Sequence, residues 1–140
     1  MVDMVDNFGN TFYLILFLLN LLGLFYYGYL CLLSPNTLIN KFNLGERGRI
    51  PIRVIGTFIL PIIILGIWIL FRENGPAGCW IYFVFGVLVS LFQVLLDWGQ
   101  RFKIIDGDLE NLNDTSDTII GIAFLVIGIV LINGLADKIY

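Results

Sequence analysis

The stretch TIIGIAFLVIGIVLINGLA, Thr118–Ala136, carries no charge and no proline, and its reading decides the fold. A helix of roughly 20 apolar residues covers the ~30 Å hydrocarbon core of a bilayer. Three more charge-free stretches precede it, at Asn7–Asn40, Val54–Phe71 and Asn74–Leu96. Trimmed at polar and turn-forming residues, the four predicted spans are Thr11–Leu33, Pro51–Phe71, Cys79–Trp98 and Thr118–Ala136. The sequence therefore predicts an all-α integral membrane four-helix bundle. It is a single domain over residues 1–140, because nothing outside the spans is large enough to bury a core of its own.

Composition agrees. Hydrophobic residues make up 59% of the chain and charged residues 14%, against about 45–50% and 25% in soluble domains. That balance excludes a soluble globular domain and a disordered chain. Eight Lys and Arg against eleven Asp and Glu give a net charge of −3, which excludes a nucleic-acid partner. The chain has no histidine, so haem ligation through His, His-bound zinc and Ser-His-Asp hydrolysis lack their central side chain. Its two cysteines, Cys31 and Cys79, form no CxxC pair, so a dithiol relay has no active couple.

Orientation follows from Lys and Arg. Lys41, Arg47, Arg49, Arg53, Arg101 and Lys103 flank the loops after the first and third spans, whereas the second loop and the C-terminus offer Arg72 and Lys138. The positive-inside rule then puts the two longer loops in the cytoplasm and both termini outside, with a bacterial-type inner membrane as the default location. The start of the chain, with Asp3 and Asp6 and no basic residue before the first span, lacks the positive region of a secretory signal, so that span is expected to be retained. Trp68, Trp80 and Trp98 fall near span ends, where interfacial anchors belong. In this topology Cys31 and Cys79 end up a membrane thickness apart, too far for a disulfide, and each thiol reads as a small packing residue.

The first cytoplasmic loop opens with Ser34 as a candidate helix cap and Pro35 at the first helical position. Leu38, Ile39 and Phe42 share one face, predicting a short amphipathic helix on the cytoplasmic membrane surface, terminated by Gly45. The basic turn that follows places Arg47 and Arg49 where lipid headgroups lie. They could bind headgroups or merely set topology, and so few basic residues favour topology. Leu33-Ser34-Pro35, the short apolar helix ending Phe42-Asn43-Leu44-Gly45, and a second span opening Arg53-Val54-Ile55-Gly56 together resemble small four-helix DoxX-like membrane proteins. The resemblance covers the first loop and the start of the second span and implies a four-helix bundle. That family's quinone-linked association with oxidoreductases finds no matching cofactor ligand here, so no functional residue carries over.

The third span has a polar face. Gly86, Ser90, Gln93 and Asp97 fall within an arc of about 60° at the helical period. Intramembrane polar groups face the bundle interior or a wet cavity, and Arg53 enters the second span at the depth of Asp97, so an Arg53–Asp97 pair is expected. Arg53, Ser90, Gln93 and Asp97 are accordingly the candidate ligand-binding residues. The competing reading makes Ser90 and Gln93 interhelical hydrogen-bonding groups and lets Asp97 reach the interface. Asn20, near the centre of the first span, needs a partner from another helix or subunit. Small residues mark close helix packing: Gly23 in the first span, Gly56 and Gly66 around Pro61 in the second, Gly86 in the third, and Gly121 and Gly128 on one face of the fourth. Pro61 is expected to kink the second span.

Asp106, Asp108, Glu110, Leu112, Asp114 and Asp117 match the spacing of a calcium loop. However, Asn111 replaces the turn glycine and Asp117 the longer bidentate glutamate, so a solvated acidic loop with Asp114–Asp117 capping the fourth span is the preferred reading, with no metal. No nucleophile stands beside a base and no carboxylate pair lies within a span, so no enzyme and no cofactor is expected. Proton-coupled transport needs an ionisable group deeper than Arg53 or Asp97. What remains is contact: an accessory or structural subunit of a larger membrane assembly, or a self-associating protein, surrounded by membrane lipids. The alternative is a small membrane protein that binds a lipid, quinone or other hydrophobic ligand in a pocket between the second and third spans.

Overall fold

In the computed structural model, which describes residues 4–108 and 115–140, Asn10 sits in extended backbone and its side chain accepts from the Tyr13 amide at 3.0 Å. This caps the first long helix by satisfying one of its orphan amino-terminal donors. The described elements are all helical: α1 (Met4–Asn7), α2 (Thr11–Leu32), α3 (Pro35–Phe42), a 3-10 turn (Glu46–Gly48), α4 (Arg49–Phe71), α5 (Trp80–Arg101), α6 (Thr115–Gly134) and α7 (Ala136–Ile139). Four of these segments, the second being the 3-10 turn together with α4, are long and apolar enough to cross a membrane, as a multi-pass membrane protein requires. The chain divides into two compact units, Met1–Pro76 and Ala77–Tyr140.

The first unit is an antiparallel helical hairpin. A Cβ on Gly56, early in α4, would lie 2.6 Å from the Leu32 side chain and 3.0 Å from Cys31 Cβ at the end of α2, and one on Gly28 would meet Ile63 at 3.1 Å. The helices approach this closely because those positions have no side chain. Cys31, Leu38, Ile39 and Ile52 form the buried cluster at this end, with Leu30, Phe42 and Ile59 packed around it. Here α3 departs from the expectation of a helix resting on the membrane surface. Its apolar face turns inward onto α2 and α4, which lie at either end of this short connection. Burying Leu38 and Ile39 there is worth about 1.5–3 kcal/mol each. Pro35 opens α3 as predicted, and the Ser34 hydroxyl meets Thr37 Oγ1 at 3.0 Å instead of a backbone amide. Gly45 does not end α3. Asn43 does so, in left-handed conformation (φ 50°), with the Leu44 amide closing on the Ile39 carbonyl at 3.1 Å.

The second predicted span starts slightly earlier than expected. Pro51 lies in the first turn of α4, where helical amides have no intrahelical acceptor to lose. The helix continues through Pro61 to Phe71. At the opposite end, α1 folds back: the Asn7 side-chain amide donates to the Glu73 carbonyl at 3.1 Å, and Phe8 is 0% exposed with its ring 4.9 Å from that of Phe17.

The second unit is another antiparallel pair, α5 against α6, in a regular register. Asp97 meets Thr118, Val94 lies against Gly121 and Val87 against Gly128, each step along α5 being matched by an equal step back along α6. The fourth span ends at Gly134, short of the predicted Ala136, and α7 then turns back with Leu135 and Ile139 fully buried. The terminal Tyr140 ring stacks on Trp80 at the start of α5, with centroids 6.4 Å apart.

Candidate functional site

Helix α5 extends past its predicted end at Trp98 to Arg101 because Asp97 and Arg101 stand one turn apart and pair across the last turn. Arg101 Nε donates to Asp97 Oδ2 at 3.1 Å. The Thr118 hydroxyl donates to the same oxygen at 2.7 Å and itself accepts from Arg101 Nη2 at 2.6 Å. These three side chains close a triangle that ties the last turn of α5 to the first turns of α6. Within its own unit the basic partner of Asp97 is Arg101, which the helix itself delivers to the right distance. Arg53 is exposed near the start of α4, in the other unit.

Asp97 is the buried charged residue of the described chain, 8% exposed. Both donors converge on Oδ2, and Oδ1 is buried with no hydrogen-bond partner among the described residues. Leaving such an acceptor unsatisfied costs about 1–3 kcal/mol. Asp97 lines a cavity of about 170 Å³ between α5 and α6, whose polar wall is completed by Gln93, Gln100, Asp117 and Thr118, with Val94, Leu96 and Gly121 as its apolar part. The Gln100 side-chain amide also donates to Asp106 Oδ2 at 3.3 Å in the following loop.

Of the sequence candidates, Gln93 and Asp97 come together at this cavity, while Ser90 lies half-buried farther up α5. The cavity falls between the third and fourth spans, whereas the sequence suggested the second and third. Sequence reasoning missed Arg101, Thr118, Gln100 and Asp117. The Asp97/Arg101 spacing signals the first of these. Thr118, in the first turn of the fourth span, should share the depth of Asp97 in any up-and-down arrangement.

Among the packing residues, a Cβ on Gly128 would come 2.7 Å from Val87 Cγ2 and one on Gly121 3.4 Å from Val94 Cγ2. Gly86 faces open space, and Gly23 is half-buried. Asn20 is half-buried in mid-span and makes no side-chain hydrogen bond to a described residue. Arg49 donates to the Asn36 side chain at 3.1 Å, joining the start of α4 to α3, and Arg47 is exposed. Cys31 and Cys79 are free thiols, the first buried in the inter-helix cluster. Glu110, Leu112 and Asp114 of the calcium-type spacing lie outside the described residues. Among those described, no group of three His, Cys, Asp or Glu side chains could hold a metal ion.

No family model, curated protein or solved structure matches this chain.

Proposed function

We propose that the protein works through helix–helix contact, as an accessory or structural subunit of a larger membrane assembly or by association with itself. In this reading its two hairpins gather as a four-helix bundle, the longer loops face the cytoplasm and both termini lie outside, in a bacterial-type inner membrane. The observation that carries the proposal is Asn20, an amide in the middle of a membrane-length helix with no hydrogen-bond partner among the described residues. In hydrocarbon such a group is satisfied by another helix, and Asn is among the side chains that hold membrane helices together. The polar cluster at Asp97 ties its carboxylate to Arg101 and to the Thr118 hydroxyl, a mutual pairing that serves the contact between α5 and α6.

The test is extraction from the native membrane in mild detergent, followed by native electrophoresis and mass spectrometry of everything that comigrates. A stoichiometric set of further subunits, or a defined oligomer of this chain, is the expected result. Migration as a lone chain in every mild detergent overturns it.

A second reading, a membrane protein that binds a lipid or other partly apolar ligand, is favoured by one observation: the α5/α6 cavity with its mixed polar and apolar wall. Its volume is well below the ~300–1,000 Å³ of pockets that enclose drug-sized ligands. The cavity therefore suits a headgroup better than a quinone ring or a pigment.

A further inference from the structure

We infer that the loop end of the first hairpin, where α2, α3 and α4 meet, is a binding surface for the phosphate groups of anionic phospholipids. The inference is independent of the contact reading above, because a subunit of an assembly and a lone chain both have lipid at this level.

Charge is the first argument. From Lys41 to Arg53 the chain carries four basic residues and one acidic residue, Glu46. Arg47 and Arg49 by themselves fall short of the roughly four to eight basic residues that recognise anionic lipid beside a membrane helix. The fold supplies two more at the same end of the hairpin. Lys41 stands in the last turn of α3, and Arg53 lies one turn beyond Arg49 on α4. Arg47, Arg49 and Arg53 are all exposed.

The second argument is that this charge is not neutralised within the chain. Arg47, Arg49 and Arg53 pair with no carboxylate among the described residues, and the hydrogen bond that Arg49 makes goes to the neutral side chain of Asn36. Arg49 and Arg53, four apart on one helix, repel each other. A phosphate beside them relieves that repulsion, and a guanidinium presents paired N–H donors that match two phosphate oxygens.

The surroundings favour lipid over an acidic protein segment. Leu33 and Ile50 are 76% and 73% exposed, and Leu44 is exposed as well. They stand at the end of α2, in the first turn of α4 and in the connection that follows α3, among the arginines. Both long helices are of membrane length, so their shared end lies where headgroups meet acyl chains. Apolar side chains entering the acyl boundary beside cations that stay among the headgroups are the mark of an interfacial segment. The inward packing of Leu38 and Ile39, together with the link from Arg49 to Asn36, holds the connection against the hairpin and so orders the surface that carries the charge.

The experiment is native mass spectrometry of the purified full chain released from nanodiscs of equal parts phosphatidylglycerol, phosphatidylcholine and phosphatidylethanolamine. It is repeated with Arg47→Gln, Arg53→Gln and Arg72→Gln. Arg72, at the far end of α4, controls for the loss of a positive charge as such. Arg47 and Arg53 make no hydrogen bond or ion pair to a described residue, and either variant suffices if the other fails to fold. Phosphatidylglycerol should be retained about tenfold over phosphatidylcholine. Arg47→Gln and Arg53→Gln should each lower that preference about fivefold, the worth of one basic residue beside an anionic surface, and Arg72→Gln should leave it unchanged. Retention that follows bulk lipid composition, or that favours a zwitterionic lipid, overturns the inference. So does a preference for phosphatidylglycerol that the Arg47 and Arg53 variants leave intact, or that Arg72→Gln lowers equally. None of these outcomes alters the comigration by which the contact reading is tested.

Discussion

The Thr118 hydroxyl donates to Asp97 Oδ2 at 2.7 Å, joining the first turns of α6 to the last turn of α5 through an oxygen that also accepts from Arg101. This contact sets the register in which Val94 meets Gly121 and Val87 meets Gly128 farther along the pair. It also leaves the other carboxylate oxygen without a donor. The same geometry thus organises the hairpin and leaves Asp97 Oδ1 buried without a hydrogen-bond partner among the described residues.

Removing the cation should cost more than removing the charge it pairs with. Arg101→Leu leaves a buried carboxylate with only Thr118, and is expected to destabilise the α5/α6 pair by about 2–3 kcal/mol, whereas Asp97→Asn removes both the charge and its desolvation and should cost less. Chemical denaturation in detergent, followed by the fluorescence of Trp80 and Trp98, measures both. Equal losses would show that the ion pair is not what holds the two helices here.

Gly128 and Gly86 should respond oppositely to enlargement. Gly128→Val forces a side chain against Val87, where even a Cβ would come within 2.7 Å, and is expected to cost about 1–3 kcal/mol. Gly86→Ala enters open space and should stay within about 0.5 kcal/mol of the parent. Thermal melts of the purified protein distinguish the two.

Asn20→Leu should leave the fold intact and weaken assembly. The amide makes no hydrogen bond to a described residue of its own chain, so the loss should appear in association, at about 0.6 kcal/mol for each interhelical hydrogen bond. Subunit exchange followed by fluorescence transfer in bicelles measures it. Unchanged association together with a lowered melting temperature would place the amide's partner within the chain.

Phe8→Ala should release the amino-terminal turn. Phe8 is fully buried against Phe17, and truncating such an aromatic removes about 3 kcal/mol of packing. Limited proteolysis is expected to cleave near Gly9 and Asn10 in the variant and not in the parent.

Cysteine labelling tests the proposed orientation. In intact cells a membrane-impermeant maleimide should modify the half-buried Cys79 from outside and leave the buried Cys31 unmodified. Introducing Tyr140→Cys gives an independent reporter on the side of the C-terminus. Labelling of that residue only after permeabilisation would invert the topology.

What the sequence determined by itself is a matter of length and polarity. The charge-free runs and the turn residues between them locate four membrane-length helices to within a few residues, and Pro35 marks the start of the short helix α3. This was legible because a helix in hydrocarbon satisfies its own backbone and needs only apolar side chains outward. The register of the helices and the partners of their few polar groups were decided by tertiary structure. Sequence reasoning paired Asp97 with Arg53 and overlooked Arg101, which the α5 turn and the approach of Thr118 bring to Asp97 within the second unit. Likewise the apolar face of α3 suits a membrane surface or a protein surface equally, since Leu38 and Ile39 leave water in either case. The short connections to α2 and α4, which bring Cys31 and Ile52 within reach, turned that face inward. Apolar surface is non-directional, so its amount can be read along the chain, whereas what it packs against depends on which residues the fold brings together.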